Sequence, residues 1–280
     1  MSNRQATLFP SPPCESKGPN VAAVPSSAVS RRTYINNLLV NESLQHLPAA
    51  LDHPSTDDFK AYLREHLHHN SANTRLKCAE YIAYRYSQQG KVNLALARFL
   101  KCCPDENSRR EVLWFEMLRA VPPLQELSSA WLSKIPAQGT TREELLEFMR
   151  LRVGNRNPGK LATEALGAMK KLGHLKSDKP KHYYAIWTDP SVEVLIYALA
   201  QIYPTPTAVR MEVFKTDSMW QGLLWPPASL ERIILQGDRF GKIANVTQLD
   251  TYYQFTLQGS GEERLQRLLA RWTKGGKSHG

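Results

Sequence analysis

The sequence predicts a mainly α-helical fold, built of tandem helix-turn-helix or winged-helix units with small β-hairpin wings. Three observations predict it. Apolar residues recur at helical spacing in several segments that begin with capping residues. Between residues 141 and 187, two such helices flank a tight turn and precede a short basic hairpin. Positive charge is concentrated there, because residues 150–182 carry nine Lys and Arg against two carboxylates, +7 of the chain's formal +10.

The first 30 residues predict a disordered tail. They are rich in Pro, Ser, Ala and Asn and lack the apolar pattern needed to join a core. They also lack the continuous apolar core of a signal peptide. The longest apolar run, around residues 194–200, is far shorter than the ~20 residues of a transmembrane helix. The cysteines Cys14, Cys78, Cys102 and Cys103 form no CxxC pair, so we expect a reduced, cytoplasmic protein. Because the apolar runs are short, we expect no membrane contact.

Residues 31–136 predict an N-terminal helical domain that contains a first helix-turn-helix. Ser55 to Asp58 form a helix cap, and a break at residues 69–71 precedes a second helix. The first turn of that helix offers polar donors on its outer side, as a recognition helix does. The candidate DNA contacts are Asn73, Thr74, Arg75 and Lys77. The alternative is an ordinary capped helix in a helical bundle.

Residues 137–188 predict a winged helix-turn-helix. Thr141 and Glu144 have the spacing of a capping box, and the helix they start runs to about Val153. Pro158 suits the first position of the next helix, which stops at Gly173. The candidate DNA contacts are Arg152, Asn155, Arg156, Lys160, Lys170, Lys171, Lys176, Lys179 and Lys181. A solvated helix pair in an all-helical domain is the competing interpretation.

Residues 189–280 predict a C-terminal winged-helix-like domain. A helix spans about Ser191–Tyr203, and two strands at 242–246 and 252–257 are joined through residues 248–250. An amphipathic helix, Glu262–Trp272, follows. This unit is less basic, although Arg239 and Lys242 are suited to phosphate contacts. It fits a protein-docking module equally well.

Catalytic and metal motifs are not evident. The sequence contains no GxGxxG, GxxxxGK[ST] or GxSxG, and the Glu212–Lys215 segment lacks the ExK spacing of a nuclease. His66, His68 and His69 cluster at a helix end without the partner ligands of a zinc site. We therefore expect a non-enzymatic binding protein with no cofactor and no metal.

Scattered residues in consistent order carry a family resemblance. Asn73-Thr74-Arg75-x-Lys77-x-Ala79, then Arg109–Phe115, then a capped helix and a basic helix ending Leu172-Gly173-x-Leu175 resemble BrxA. BrxA is the small helical, non-enzymatic protein of BREX phage-defence systems, and the similarity covers roughly residues 33–187. The resemblance implies a cytoplasmic DNA-binding accessory subunit that acts beside a methyltransferase and an ATPase.

The predicted function is therefore non-enzymatic binding of double-stranded DNA, with Arg and Lys contacting phosphates. The alternative is a protein-interaction scaffold whose basic face docks an acidic partner in a defence complex. RNA binding is less favoured, because no RNP or KH-like motif is present.

Deletion of residues 1–30 tests the predicted tail. Because the segment lacks apolar residues that join a core, the truncated protein should unfold at nearly the same midpoint temperature as the full chain. Differential scanning calorimetry measures both midpoints. A fall of many degrees would show that the segment docks on the folded part.

Overall fold

The computed structural model describes residue 35 and residues 38–152, 157–236, 244–249 and 252–275. The predicted tail, the turn residues Asn155 and Arg156, and Arg239 and Lys242 lie outside these ranges. Most described residues are helical and the strands are short, so the prediction of a mainly α fold with small antiparallel sheets is confirmed.

The helices predicted from residues 141, 158 and 191 begin at or next to those positions. The described α-helices are α1 (Val40–His46), α2 (Thr56–His66), α3 (Ala72–Arg85), α4 (Leu94–Cys102), α5 (Glu106–Ala120), α6 (Pro122–Ala130), α7 (Arg142–Arg152), α8 (Pro158–Lys171), α9 (Val192–Ile202), α10 (Met211–Thr216), α11 (Ser218–Gly222), α12 (Pro227–Gln236) and α13 (Gly261–Gly275). Short 3₁₀ helices occupy Leu47–Leu51 and Leu132–Lys134. Side-chain caps explain several starts: the hydroxyl oxygens of Ser55 and Ser191 accept from Asp58 N and Val194 N.

The described strands form one hairpin and two three-stranded sheets. They are β1 (Ser87–Gln88), β2 (Lys91–Val92), β3 (Thr140–Thr141), β4 (Leu175–Lys176), β5 (His182–Ala185), β6 (Ala208–Arg210), β7 (Ala244–Leu249) and β8 (Tyr252–Leu257). The sheet orders are β1-β2, β3-β5-β4 and β6-β8-β7, all antiparallel. In each three-stranded sheet, the first strand along the chain pairs with the last: β3 pairs with β5, and β6 pairs with β8. Helices lie along the chain between the first and second strands of each sheet.

The C-terminal hairpin differs from the prediction in one detail. Residues 248–250 were expected to join the strands, whereas Gln248 and Leu249 belong to β7 and pair with Tyr253 and Tyr252. The amide of Gln248 donates to the Tyr253 hydroxyl over 2.7 Å. The ladder therefore extends two residues further than predicted, and this side-chain contact adds to the pairing.

Helix α5 lies at the centre of the core. Every residue from Val112 to Leu118 is buried, including Glu116, so the helix is surrounded by other elements on all sides. The Tyr197 hydroxyl of α9 donates to Glu116 Oε1 over 2.8 Å, and Arg119 pairs with the same carboxylate at 3.0 Å. The buried charge is thereby compensated.

Trp114 on α5 joins three parts of the chain. Its Nε1 donates to the carbonyl of Gly222 on α11 over 3.1 Å, and the Ser128 hydroxyl of α6 donates to the same carbonyl over 2.6 Å. Its ring stacks on His174, which follows α8, with centroids 4.9 Å apart. The central helix therefore fixes the end of α8 and helix α11 of the C-terminal unit relative to each other.

Two titratable groups near this junction are shielded from water: His174 is buried and Glu111 is half-buried. Desolvation raises the pKa of Glu111 to about 7. The hydrogen bond that its Oε1 accepts from Thr188 Oγ1 at 3.2 Å lowers the pKa, but by less. Desolvation lowers the pKa of His174 to about 3. Glu111 is thus partly protonated at neutral pH, and His174 is neutral.

Glu111→Gln should reveal the cost of ionising the half-buried carboxyl. Because the folded pKa of about 7 lies above the usual 4.5, wild-type stability from Glu111 is fully present at low pH and is lost as pH rises from about 4.5 to 7. His174 acts in the opposite direction between about pH 3 and 6.5, so the contributions of the two groups largely cancel in the wild-type profile between about pH 4.5 and 6.5. The informative quantity is therefore the difference between variant and wild type.

Glutamine does not ionise, so the variant should gain about 2–3 kcal/mol on wild type as pH rises through that interval. Urea unfolding at several pH values measures the difference. A difference that stays constant between pH 4.5 and 7 would contradict the raised pKa of Glu111.

Candidate nucleic-acid interface

Local capping sets the direction of α7. Thr141 Oγ1 accepts from Glu144 N over 3.3 Å, and the Glu144 carboxylate accepts from Thr141 N and Thr140 Oγ1 at 2.7 and 2.6 Å. These reciprocal bonds are those of the predicted capping box. They fix the entry of α7 next to β3, whose Thr140 pairs with Tyr183 of β5.

Helix α8 starts at the predicted proline. Asn157 adopts a left-handed conformation with φ 53°, and its side chain accepts from Lys160 N over 3.2 Å. Pro158 then occupies the first helical position, as predicted. The inner face of α8 is buried and comprises Leu161, Ala162, Ala165, Leu166, Ala168 and Met169.

The outer face of α8 brings three predicted contact residues together. Lys160, Lys170 and Lys171 are all exposed and lie on the side opposite the buried face, together with Thr163 and Gly167. Helical periodicity alone predicts this arrangement once the boundaries are known. We call residues 160, 163, 167, 170 and 171 the α8 stripe.

The connection between β4 and β5 forms a second basic surface. Lys176, Lys179 and Lys181 are exposed there, and Lys181 Nζ lies 3.9 Å from Glu143 Oε1. The turn is ordered by two side chains: Ser177 Oγ donates to Lys179 O over 2.8 Å, and the Tyr184 hydroxyl donates to Asp178 Oδ2 over 2.9 Å. We call residues 176–181 the wing.

Tyrosines of β5 support lysines on both surfaces. Lys170 Nζ lies 5.0 Å from the centre of the Tyr183 ring, and Lys176 Nζ lies 5.6 Å from that of Tyr184. Cation–π attraction and packing of the aliphatic stems therefore hold these ammonium groups near the hairpin. The stripe and the wing are joined through a single strand.

Arg142 links the two helices, a role that the sequence did not reveal. Its Nη2 donates to Gly159 O at 3.2 Å and to Thr163 Oγ1 at 2.9 Å. The Thr163 hydroxyl in turn donates to Gly159 O over 2.9 Å. Partners 17 and 21 residues apart follow no local spacing rule, so only the fold identifies them.

The remaining candidates lie elsewhere. Arg152 is exposed at the end of α7, 3.7 Å from Glu126 Oε1 of α6. Asn73, Thr74 and Lys77 are exposed in the first turns of α3. Arg75 is half-buried, and its Nη1 donates to His69 O over 2.6 Å, so that guanidinium holds the preceding turn.

Two ion pairs join charged side chains in the described part of the C-terminal unit. On α12, Arg232 pairs with Asp189 at 3.4 Å, and Glu231 pairs with Lys215 of α10. Exposed apolar side chains also occur in this unit, namely Val213, Leu235 and Val246. Its surface chemistry therefore differs from that of the stripe and the wing.

The histidine cluster has a structural explanation. The ring of His66 stacks on Tyr62 at 4.1 Å, and its Nδ1 lies 2.8 Å from Tyr62 O. Within the described ranges, no three His, Cys, Asp or Glu side chains are grouped as metal ligands.

The described chain is thus a mainly helical protein with two small three-stranded antiparallel sheets. In each sheet, helices separate the first strand from the second along the chain. None of its described helices is long and apolar enough to cross a membrane. No protein-family model and no curated protein matches the sequence.

Two solved structures are similar in shape. One is described as the SspB crystal structure, with a TM-score of 0.49 and 10% identity over 90% of this chain and 89% of that chain. The other, the magnesium ion-bound SspB crystal structure, has a TM-score of 0.48 and 8% identity over the same shares. Similarity of this degree establishes neither family nor function.

Gly139→Ala should disrupt the sheet that carries the wing. Gly139 has φ +88°, and an added Cβ would lie 2.8 Å from Tyr183 O and 2.6 Å from the His182 ring. Gly173→Ala is the matched control, because Gly173 has φ +85° but an added Cβ would meet nothing within 4 Å. Both alanine variants therefore carry the strain of a positive φ, and they differ in whether the new Cβ overlaps neighbouring atoms.

We expect the Gly139 variant to lose about 2 kcal/mol more of its unfolding free energy than the Gly173 variant. Urea denaturation of both proteins measures this difference. Equal losses would mean that β3 moves away from β5 without cost.

Proposed function

We propose that this chain is a non-enzymatic, double-stranded DNA-binding accessory protein that contacts the duplex through the α8 stripe and the wing. The observation that carries the proposal is the joint exposure of six lysines on one helix face and the adjoining hairpin: Lys160, Lys170, Lys171, Lys176, Lys179 and Lys181. Exposed lysines suit phosphates, which supply most of the affinity in sequence-independent and sequence-specific binding alike.

The order of elements supports a winged helix-turn-helix for residues 137–188. A strand, two helices and a hairpin follow one another, and the first strand pairs with the last strand of the hairpin. In such a unit the second helix enters the major groove and the wing reaches a neighbouring backbone. The lysines of α8 and the wing would then neutralise different phosphates.

Membership of a BREX-type phage-defence system is part of this proposal and rests on the sequence resemblance. So do the cytoplasmic location and the partner subunits, a methyltransferase and an ATPase. The turn residues Asn155 and Arg156 precede α8, and we include them among the proposed contacts together with Arg152. The first turn of α3 would contribute Asn73, Thr74 and Lys77, with Arg75 holding its geometry.

A protein-interaction scaffold is the second candidate. The paired charges on α12 and the exposed Val213, Leu235 and Val246 favour protein contacts for the C-terminal unit. In that case the lysine surfaces would dock an acidic protein instead of DNA.

Charge reversal in a salt-titrated gel shift distinguishes DNA binding from the protein-interaction scaffold. If about five phosphates are neutralised, the slope of log K against log salt for a duplex should be near −4 to −5. The double variant Lys160→Glu/Lys170→Glu should bind at least about a hundredfold more weakly, because two attractions become repulsions. Lys101→Glu, on the exposed side of α4, is the matched control and should bind as wild type.

Circular dichroism must show that all variants are folded. A flat salt response of the wild-type protein would contradict DNA binding and favour the scaffold. If the folded stripe variant binds normally while Arg75→Glu/Lys77→Glu does not, the DNA-binding face belongs to α3.

A further inference from the structure

The α8 stripe suits phosphate contacts better than base reading. Base-edge recognition in the major groove uses Arg or Lys on guanine and Asn or Gln on adenine, and of these the stripe carries only Lys. From residue 158 to residue 171, the exposed polar side chains of α8 are those of Lys160, Thr163, Lys170 and Lys171. A lysine ammonium is a compact charge on a flexible stem, which suits phosphate contacts that carry no sequence information.

Two other polar side chains beside the stripe lysines, Thr163 and Arg142, are engaged within the protein. The Thr163 hydroxyl donates to Gly159 O and accepts from Arg142 Nη2, both over 2.9 Å. Arg142 Nη2 also lies 3.2 Å from Gly159 O. The Thr163 hydroxyl is therefore occupied by groups of the protein itself, and the guanidinium of Arg142 is held at the helix start.

Gly167 makes the middle of the stripe bare. It lies in the third turn of α8, and a Cβ added there would meet nothing within 4 Å. Glycine inside a helix is unfavourable relative to alanine, and no described neighbour requires it here. A bare helix surface between Lys160 and the Lys170–Lys171 pair lets another backbone approach closely.

Glu164 does not oppose this arrangement strongly. It is the one carboxylate between residues 158 and 171 and is half-buried. Its charge interacts with the guanidinium of buried Arg85, so part of its field is compensated within the protein.

We propose that the α8 stripe binds duplex DNA without sequence preference, seating one sugar–phosphate strand over Gly167 with lysines on either side. This inference rests on the proposed function and specifies its substrate class. The stripe would contact the phosphates of the duplex and not its bases.

Two measurements test it on the full-length chain. In the first, a fluorescent duplex is displaced by poly(dA-dT), poly(dG-dC) and a mixed-sequence duplex at one salt concentration. The competition constants should agree within about threefold. In the second, Gly167→Leu adds bulk to the bare surface and should weaken binding of every duplex about tenfold or more.

Ala228→Leu is the matched control for the second measurement. Ala228 is exposed on α12 of the C-terminal unit. Its replacement therefore also places a leucine on a helix surface, but away from the stripe. It should bind as wild type. Gly167→Ala is included because alanine favours the helix, so weaker binding by that variant is not attributable to unfolding.

The outcomes separate this inference from the proposed function. If no duplex binds at low salt, the proposed function itself fails. If duplexes bind but one sequence is preferred by more than about tenfold, sequence independence is overturned while DNA binding stands. If folded Gly167→Leu binds as wild type, the strand does not lie over Gly167.

Discussion

The contact set of Trp114 is the constraint on which the rest of the fold depends. One buried indole donates to the Gly222 carbonyl and stacks on His174, so the central helix holds both the end of α8 and helix α11 of the C-terminal unit. A buried hydrogen bond contributes only about 1 kcal/mol net, but an unpaired buried carbonyl costs about 1–3 kcal/mol. Ser128 also donates to that carbonyl, which makes the junction of α5, α6 and α11 specific as well as stable.

This junction explains how a small surface can be rigid. The inner face of α8 is buried, its start is tied to α7 through Arg142, and its end is fixed where His174 stacks on Trp114. The wing is connected to the same helix through Tyr183, which lies under Lys170. The lysines therefore project from a fixed scaffold, and little backbone ordering remains to be done on binding.

Local chemistry made much of this fold predictable. The capping box of Thr141 and Glu144, the cap of Ser55 and the position of Pro158 depend on residues a few positions apart, and each was found as predicted. The exposure of Lys160, Lys170 and Lys171 on one face follows from the 3.6-residue period of the same helix. Such features need no knowledge of tertiary structure.

Long-range contacts were not predictable from the sequence. The pairing of Thr140 with Tyr183, the bonds of Arg142 and the stacking of Trp114 on His174 join residues that no spacing rule connects. The β1–β2 hairpin was also missed, because Ser87 to Lys91 resembles an ordinary polar loop. Its turn depends on Gln89 and Gly90, both with positive φ. Arg75 was predicted as a DNA contact from its helix position, whereas its bond to His69 O depends on how the preceding turn folds.

Hydrogen exchange of the protein with and without a saturating duplex tests the central claim most directly, because it locates the bound surface without any substitution. The account predicts slower exchange of backbone amides in residues 158–171 and 176–182 when DNA is added, with α12 unchanged. Protection confined to α3 or to the C-terminal unit, with α8 and the wing exchanging at their free rates, would contradict it.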